Sequence, residues 1–509
     1  MARQGVPVVP YKRLNDEQVE RIHRTSIDIL KAPGITCFNK DAAEIFAAAG
    51  AEVTEIKAEG NPNWILRIPE KMVMDAAETA PSKVKLGARN EDNSLLLDAG
   101  QPVVHFASGS ETNNWLEADI ESFVSKNDSS LEINMPVFRS EKGNTERLAK
   151  AAHLCENLDS WDGFLRCVNI QDDDINDSNK DVNKFFISLN NTSKHVMAGL
   201  TDLAQLDNLM NMVQIIAGGE EKFKENPIIS IITSLIKSPL QFVDDTTEKT
   251  IEIARRGIPL VISSAPQGGS TAPIIETGIV AQINAEILAG ITLAQLVNKG
   301  APVLYGSVPG RANMADLHDS YGVPEFSQFN IDCVQMARYY GIPCYSSGGV
   351  SDVKVPGIQS TVERLLSQVM ITLAGPQYLH YAFGLLERTS TFCPVQAVLD
   401  NAHIGIIKRL ASQPRITEES VSDVMSQMGK VMTSSTKLFT RFARTALRTG
   451  EISPQYPFES KEMTDDTLFQ AIEKSDEIMQ RPRNHIDNGL IDKLYDTTPG
   501  LLTRLKNGK

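Results

Sequence analysis

The chain has 509 residues, of which 41% are hydrophobic and 22% are charged, the proportions of an ordinary globular protein. Its formal net charge of -14 disfavours nucleic acid as a partner, because phosphate binding depends on clustered Lys and Arg. No stretch approaches the roughly 18 uninterrupted apolar residues of a membrane span, and the N-terminus lacks the apolar core of a secretory signal. The six cysteines are scattered without a C-x-x-C pair, which argues against a disulfide framework or a zinc ribbon. We therefore expect a cytoplasmic protein without membrane contact.

A repeated strand-helix pattern organises the middle of the chain. Residues 1–100 are predicted to form two helices followed by short strands. Beyond them, RRGIPLVIS at 255–263, NKGAPVLYG at 298–306 and YYGIPCYSS at 339–347 share a Gly, an apolar residue, a Pro and a short apolar run. The Gly suits the left-handed position that closes a helix, and the Pro suits the first residue of a strand. Apolar runs without alternation are typical of parallel strands that are covered on both faces.

Extending this pattern predicts eight strands, near 103–106, 164–168, 195–199, 228–233, 260–264, 303–307, 344–347 and 378–382. Amphipathic helices are predicted between them at 144–157, 177–190, 202–217, 244–256, 276–298, 325–340 and 357–373. Eight such units favour an α/β fold of the (β/α)8 TIM-barrel type over 101–410, with 1–100 as an N-terminal α+β segment. Residues 411–509 are predicted to be a helical extension that serves packing or oligomerisation. An open doubly wound sheet is the alternative, although no G-x-G-x-x-G or G-x-x-x-x-G-K-[ST] motif supports nucleotide binding on it.

Aromatic residues gather in the segments where the predicted strands end. Active sites of such barrels lie at the carboxyl ends of the strands. Only 6% of the chain is aromatic, yet six aromatic residues occur there. They are Phe106, Tyr305, Tyr345, Tyr378, Tyr381 and Phe383. Aromatic faces attract a quaternary ammonium by cation–π interaction. The alternative is that half of them point outward beneath helices, because side-chain direction alternates along a strand.

Polar residues at the same strand ends have several possible roles. His380 suits a general acid, a hydrogen-bond donor or a core histidine. Arg311 suits a clamp for a carboxylate or a surface ion pair. Neither an H-E-x-x-H motif nor a cysteine–histidine pair predicts a metal site, and no G-x-S-x-G elbow predicts acyl transfer. Gly268, Gly348 and Gly349 permit close approach of a large ligand or simply serve turns.

Several segments resemble the trimethylamine methyltransferase family, in particular its members without pyrrolysine, which include glycine betaine methyltransferases. They are LNDEQVERIHRTSIDIL, WILRIPEKMVMDAAETAPSKVKLGARN, LLLDAGQPVVHFAS, GGVSDVKVPGIQS and LHYAFGLLERTSTF. The resemblance implies a TIM barrel that transfers a methyl group from an amine to the cobalt(I) of a separate corrinoid protein. The chain itself is then expected to bind no cofactor or metal directly. The corrinoid (cobalamin) is carried by that partner.

The archaeal trimethylamine enzymes carry pyrrolysine at the barrel mouth, whereas this chain shows only standard residues. We place the equivalent position near Val353. The difference favours a quaternary amine such as glycine betaine, proline betaine or carnitine, because its demethylation releases a neutral amine without delivery of a proton. We expect His380 and Asp352 to be catalytic, and either His380 or Arg311 to hold the substrate carboxylate. Substrate binding is assigned to Phe106, Gln267, Tyr305, Arg311, Tyr345, Tyr381 and Glu387, and the approach of the corrinoid to Gly268, Gly348, Gly349 and Val353.

Three other functions stay open. The first is demethylation of a tertiary amine of the trimethylamine type. The second is another barrel enzyme such as a Schiff-base lyase, for which Lys354 is the nearest lysine. The third is a non-catalytic protein that binds a quaternary amine or the corrinoid protein. A homo-oligomer is possible in every case.

Overall fold

Helices and strands alternate along most of the chain. The computed structural model describes residues 3–56, 63–124, 132–414, 416–450, 452, 456–458, 460 and 466–507. Its α-helices are α1 (Asp16–Lys31), α2 (Lys40–Ala48), α3 (Glu70–Thr79), α4 (Thr145–Asn157), α5 (Asp177–Asn191), α6 (Leu206–Ala217), α7 (Glu220–Glu225), α8 (Asp244–Arg255), α9 (Glu276–Val297), α10 (Pro324–Tyr339), α11 (Ile358–Ala374), α12 (Pro394–Ala411), α13 (Glu418–Met432), α14 (Thr440–Thr449), α15 (Thr467–Met479) and α16 (Asn488–Thr497). The seven helices predicted between strands correspond to α4–α6 and α8–α11, with ends that differ by a few residues.

A nine-stranded sheet forms the centre of the molecule. Its strands are β1 (Val6–Pro7), β2 (Val103–Phe106), β3 (Gly163–Leu165), β4 (His195–Ala198), β5 (Ile229–Thr233), β6 (Leu260–Ser264), β7 (Val303–Ser307), β8 (Cys344–Ser347) and β9 (Tyr378–His380). They are ordered β1-β2-β9-β8-β7-β6-β5-β4-β3. Only β1 is antiparallel to its neighbour. All eight predicted strands are present, and their order lacks the reversal that defines a doubly wound sheet.

The two ends of the parallel set lie side by side and are joined by isolated bridges. Ala107, directly after β2, forms a single parallel bridge with Gly163 of β3. The backbone N–H of Asp162 donates a hydrogen bond of 2.7 Å to the carbonyl oxygen of Phe106. Since these contacts do not extend into a ladder, the structure shows a curled sheet rather than a barrel hydrogen-bonded around its whole circumference.

The inside of the curled sheet has its own apolar core, separate from the layer beneath the helices. Leu165, Met197, Val261 and Leu304 contribute to it from β3, β4, β6 and β7. A hairpin of Lys83–Leu86 and Leu95–Asp98 supplies Val84, Leu86, Leu95 and Leu97 to the same core. The hairpin belongs to the segment before β2, so the N-terminal residues complete the interior.

Helix α9 is the most apolar helix of the fold. It is the one helix among the described residues that is long and apolar enough to cross a membrane, and 94% of its apolar window is buried inside the protein. It packs against α1, α3, α8 and α10 and against β6 and β7. Its apolar composition therefore matches its place in the core.

Residues before β2 differ from the prediction of two helices followed by strands. Three helices, α1–α3, alternate with the strands Ile35–Cys37, Glu52–Ile56 and Asn63–Arg67. These strands form a five-stranded sheet with Ile236–Lys237 and Gln241–Phe242 from the loop after β5. The periodicity of 1–100 did not show α3, which begins after Pro69 and has only 10 residues.

Two further groups of strands lie outside the predicted pattern. Asn114–Val124 and Glu132–Lys142 form a long antiparallel ladder, extended by Leu385–Leu386 and Thr391–Phe392. The short strands Gln267–Gly268, Gly310–Ala312 and Asp319–Ser320 form a small sheet above β6 and β7. Both groups follow parallel strands and surround their carboxyl ends.

The described residues after α12 are mainly helical, as expected. Helix α15 packs against α4 and α12, and Arg504 forms ion pairs with Asp172 and Asp174 at 2.9 and 2.7 Å. Helix α13 leaves Met425 68% exposed. The boundaries at 100 and 410 and a role of this extension in oligomerisation stay predictions.

Candidate active site

A cavity of about 270 Å³ lies at the carboxyl ends of the parallel strands. Each of the eight strands, or the loop directly after it, contributes to its lining. The lining residues are Ser110, Glu111, Leu165, Arg166, Ala198, Gly199, Ile232, Ser234, Ser263, Ala265, Val308, Tyr321, Tyr345, His380 and Tyr381. A larger cavity of about 450 Å³ lies at the opposite ends of the strands, beside Pro227, Pro259 and Pro302. Chemistry in folds of this kind belongs to the carboxyl ends, so the smaller cavity is the candidate active site.

Side-chain direction alternates along each strand, and this alternation determines which of the predicted aromatic residues reach the cavity. Tyr345 of β8 and His380 at the end of β9 point inward and line it. The hydroxyl of Tyr305 instead donates a hydrogen bond of 3.0 Å to Asn284 of α9. Phe106 packs in the outer core, with the ammonium nitrogen of Lys408 5.3 Å from its ring centre. The structure therefore places Tyr305 and Phe106 beneath helices, outside the lining of the predicted aromatic cage.

The aromatic residues of the cavity form one continuous wall. The rings of Tyr345 and His380 stack with centres 3.9 Å apart, and the ring of Tyr381 lies 3.9 Å from that of His380. Tyr321 continues the wall edge-on to Tyr381, at 6.4 Å. Burial raises the pKa of Tyr321 and Tyr345 well above the usual tyrosine value, so both remain neutral phenols. The wall thus offers electron-rich faces without a formal charge.

Tyr321 was not predicted from the sequence. It lies in the loop between β7 and α10, where an aspartate that was predicted to be catalytic holds it in place. Asp352 accepts hydrogen bonds from the backbone N–H groups of Tyr321 and Gly322, at 3.0 and 3.2 Å. Its carboxylate therefore orders the loop that carries Tyr321, and it does not line the cavity. Burial raises the pKa of Asp352.

Hydrogen bonds to Ser347 define the protonation of His380. The hydroxyl of Ser347 donates to the carbonyl oxygen of Ser307 at 2.7 Å, which uses its only proton. His380 Nε2, 2.8 Å from the same hydroxyl, must therefore be the donor. Burial lowers the pKa of His380 well below the usual histidine value. The ring is thus neutral, and its Nδ1 keeps a lone pair that has no partner among the described residues.

Arg166 adds a buried positive charge to the lining. It follows β3 directly, is 3% exposed, and forms an ion pair with Glu111 through Nη2. Its Nε and Nη1 have no hydrogen-bond partner within the described part of the chain. Burial lowers the pKa of Arg166 only to about 10, so the guanidinium stays charged at neutral pH. Sequence reasoning missed this residue, although an arginine directly after the apolar run of a strand was a visible signal.

The other polar residues predicted for substrate binding lie outside the lining. Arg311 pairs with Glu325 of α10 at 2.7 Å, the surface ion pair that was its alternative role. The buried amide of Gln267 faces the backbone of Gly310. Glu387 accepts from the Thr391 hydroxyl at 2.8 Å and lies 3.4 Å from the ammonium of Lys354. Lys354 itself is 81% exposed at its side chain, which removes it from the cavity.

The glycines predicted for corrinoid approach contact other parts of the protein. A Cβ at Gly349 would lie 3.0 Å from the carbonyl oxygen of Tyr381, and one at Gly348 would lie 3.1 Å from Ile371. A Cβ at Gly268 would lie 3.4 Å from Ile279, an ordinary van der Waals distance. Val353 is half-buried, and its carbonyl oxygen accepts from the N–H of Glu387 at 2.8 Å. The close packing explains the glycines at 348 and 349. Their role toward a corrinoid, and the equivalence of Val353 to pyrrolysine, stay predictions.

Comparison with known proteins identifies the family. The family model for trimethylamine methyltransferase (MTTB) matches residues 3–120 and 138–438. Within the described residues no group of three or more His, Cys, Asp or Glu side chains is arranged to hold a metal ion.

Individual relatives agree with the family match. Trimethylamine methyltransferase MttB of Desulfitobacterium hafniense is 32% identical over 419 residues, which cover 82% of this chain and 78% of that protein. Glycine betaine methyltransferase of D. hafniense strain Y51 is 26% identical over 430 residues, 82% of this chain and 81% of that protein. Trimethylamine methyltransferase MttB1 of Methanosarcina mazei is 29% identical over 409 residues, 80% of this chain and 77% of that protein. The chain belongs to the trimethylamine methyltransferase family and is a methyltransferase.

Proposed function

We propose that the protein transfers a methyl group from a small quaternary amine to the cobalt(I) of a separate corrinoid protein. The observation that carries this proposal is the wall formed by Tyr321, Tyr345, His380 and Tyr381 in the cavity at the strand ends. Neutral aromatic faces attract a quaternary ammonium, which has no N–H to offer and cannot be bound by ordinary hydrogen bonds. A volume of about 270 Å³ lies near the lower end of small-ligand pockets, about 300 Å³, which favours a compact amine.

The reaction requires little of this chain beyond positioning the substrate. The corrinoid supplies the nucleophile, cobalt(I), which takes the methyl group. The C–N bond breaks with both electrons going to nitrogen, so the amine leaves neutral and no proton is required. Holding the N–CH3 bond in line with the nucleophile, away from water, is the contribution that the cavity can make.

The affinity of the aromatic wall for the ammonium group affects the rate of methyl transfer directly. The positive charge on nitrogen disappears as the methyl group leaves. Binding energy that depends on this charge is therefore lost in the transition state and raises the barrier. Three tyrosines and a neutral histidine suit moderate binding of the cation, and the carboxylate of Asp319 contacts this wall at the Tyr321 hydroxyl, 3.3 Å away. Moderate binding is what the reaction favours.

The same proposal includes a closed (β/α)8 barrel that acts in the cytoplasm. The bridge between Ala107 and Gly163 supports closure, because it joins the two strands that end the parallel set. Lining residues from all eight strands support it as well. The six cysteines are free and buried, which suits a reducing compartment.

A tertiary amine of the trimethylamine type is the second candidate substrate. Relatives that carry the name trimethylamine methyltransferase favour it. So does the lone pair on His380 Nδ1, which would accept the N–H of a trimethylammonium ion. Schiff-base chemistry at Lys354 is disfavoured because that lysine is exposed and does not line the cavity.

The proposal is tested with cob(I)alamin as the methyl acceptor. The protein is mixed with glycine betaine, proline betaine, carnitine, tetramethylammonium or trimethylamine, and methylation is followed by the absorption change of the cobalamin. We expect protein-dependent methylation with at least one quaternary amine and a slower reaction with trimethylamine. Methylation by trimethylamine alone would favour the second candidate. Betaine binding without methylation under any condition would favour a non-catalytic binding protein.

A further inference from the structure

The guanidinium of Arg166 has unused hydrogen-bonding capacity at the cavity. The side chain is 2% exposed, and two of its three nitrogens, Nε and Nη1, have no partner in the described structure. A buried charge is costly unless it is paired and hydrogen-bonded. Because Arg166 lines the same cavity as the aromatic wall, a ligand there lies next to this guanidinium.

Neighbouring carboxylates do not bind Nε and Nη1 of Arg166. Glu111 pairs with Nη2 only and is 39% exposed at its side chain. Asp181, the other acidic neighbour, is occupied by the ammonium of Lys184 and by the backbone N–H groups of Thr201 and Asp202. Lys180 lies 3.9 Å from Glu111 and adds further positive charge. The region around Arg166 therefore suits an additional anion.

The two residues expected to hold a substrate carboxylate do not suit that role. Arg311 is bound to Glu325 and lies outside the lining. His380 presents the lone pair of Nδ1, because its Nε2 proton is committed to Ser347. A lone pair repels a carboxylate and attracts the positively charged end of an amine. His380 thus belongs to the cation-binding wall.

We propose that Arg166 binds the carboxylate of a zwitterionic quaternary amine through Nε and Nη1, with Glu111 as its resident competitor. The inference rests on the proposed function and narrows its substrate class. The ammonium group lies at the aromatic wall and the carboxylate at Arg166. An amine without an anionic group, such as tetramethylammonium, uses only the wall.

Equilibrium binding tests this division without any corrinoid. Glycine betaine and tetramethylammonium are titrated by calorimetry into the wild type, Arg166→Met and Glu111→Gln. Loss of a charge-assisted hydrogen-bonded anchor should weaken betaine binding about 10- to 100-fold in Arg166→Met. Tetramethylammonium binding should be unchanged or tighter, because a positive charge has been removed. Glu111→Gln should act in the opposite direction and tighten betaine binding by roughly 5-fold.

Matched controls come from the exposed ion pair of Arg67 and Glu52, 2.8 Å apart in the N-terminal sheet. Arg67→Met and Glu52→Gln should leave the affinity for both ligands unchanged. If Arg166→Met does not fold, Arg166→Lys keeps the charge but loses the forked geometry and should bind betaine at an intermediate affinity. Equal weakening of both ligands in the Arg166 variants would overturn the proposal. So would equal affinity of wild type and Arg166→Met for betaine. Betaine binding that follows the predicted pattern without methyl transfer would instead refute only the proposed function.

Discussion

His380 Nε2 donates a hydrogen bond of 2.8 Å to Ser347, whose own proton is given to the carbonyl oxygen of Ser307. This relay fixes the neutral tautomer of His380 and leaves a lone pair on the buried Nδ1. Nitrogen-15 chemical shifts of labelled histidine at pH 7 should show Nε2 protonated and Nδ1 unprotonated. Ser347→Ala should lose this preference, and an imidazolium or an Nδ1–H tautomer in the wild type would contradict it.

Tyr345 should bind the ammonium through its ring face rather than through its hydroxyl. Tyr345→Leu removes the face and should raise KM for a quaternary amine by about 2- to 30-fold, the range expected for one cation–π contact. Tyr345→Phe keeps the face and should change KM little.

Tyr305 provides the matched comparison, because sequence reasoning placed it in the same cage. Its hydroxyl binds Asn284 of α9, so Tyr305→Phe should lower the free energy of unfolding by about 1 kcal/mol. KM should stay at the wild-type value. A large KM effect of Tyr305→Phe, together with none of Tyr345→Leu, would reverse the assignment of these tyrosines.

Asp352 should act by ordering the loop of Tyr321. Asp352→Ala leaves the N–H groups of Tyr321 and Gly322 without their acceptor. Hydrogen exchange at these two residues should then accelerate, and KM should rise more than kcat falls. Asp352→Asn retains one acceptor oxygen and should restore part of both. A loss of kcat in Asp352→Asn with normal exchange at Tyr321 would instead indicate the catalytic role expected from the sequence.

Buried histidines should make the fold sensitive to acid. Burial lowers the pKa of His105 and of His195 to about 4. The unfolded chain takes up protons at these residues below about pH 6.5, whereas the folded chain does so only near pH 4. The free energy of unfolding should therefore fall as the pH decreases from 6.5 to 4, by roughly 3 kcal/mol for each histidine.

Denaturant titrations at several pH values measure this effect. His195→Gln should lower stability at pH 7, because it loses contacts to Gly87 and Ser230, but it should show a shallower decline with acid. His318→Gln, at an exposed position, should follow the wild-type profile. Parallel profiles for all three proteins would contradict the assignment.

The strands could be predicted from the sequence because helix-ending glycines and strand-opening prolines recur before their apolar runs. These preferences of Gly and Pro act over a few residues and do not depend on the rest of the fold. Strands β6, β7 and β8 therefore begin and end where expected. The direction of each side chain depends on register between strands, which no single segment contains. Tyr305 pairs with Cys344, and Tyr345 pairs with Gly306, so the two tyrosines face opposite sides of the sheet.

The missed residues of the site depend on contacts between distant segments. Tyr321 reaches the cavity because Asp352, in another loop, binds its backbone. Arg166 is recognisable as an anchor only once Glu111 is seen to leave two of its nitrogens free of partners within the described residues. Phe106 was misplaced for the same reason as Tyr305, since its neighbour Ala107 faces the interior.

Transfer of a labelled methyl group tests the central claim most directly. Glycine betaine with carbon-13 in its N-methyl groups is incubated with the protein and cob(I)alamin, and both products are followed by NMR. Transfer from a quaternary amine predicts a labelled methyl group on the cobalamin and an equal amount of dimethylglycine. Failure to form either product from betaine that the protein demonstrably binds, while trimethylamine methylates the same cobalamin, would contradict the account.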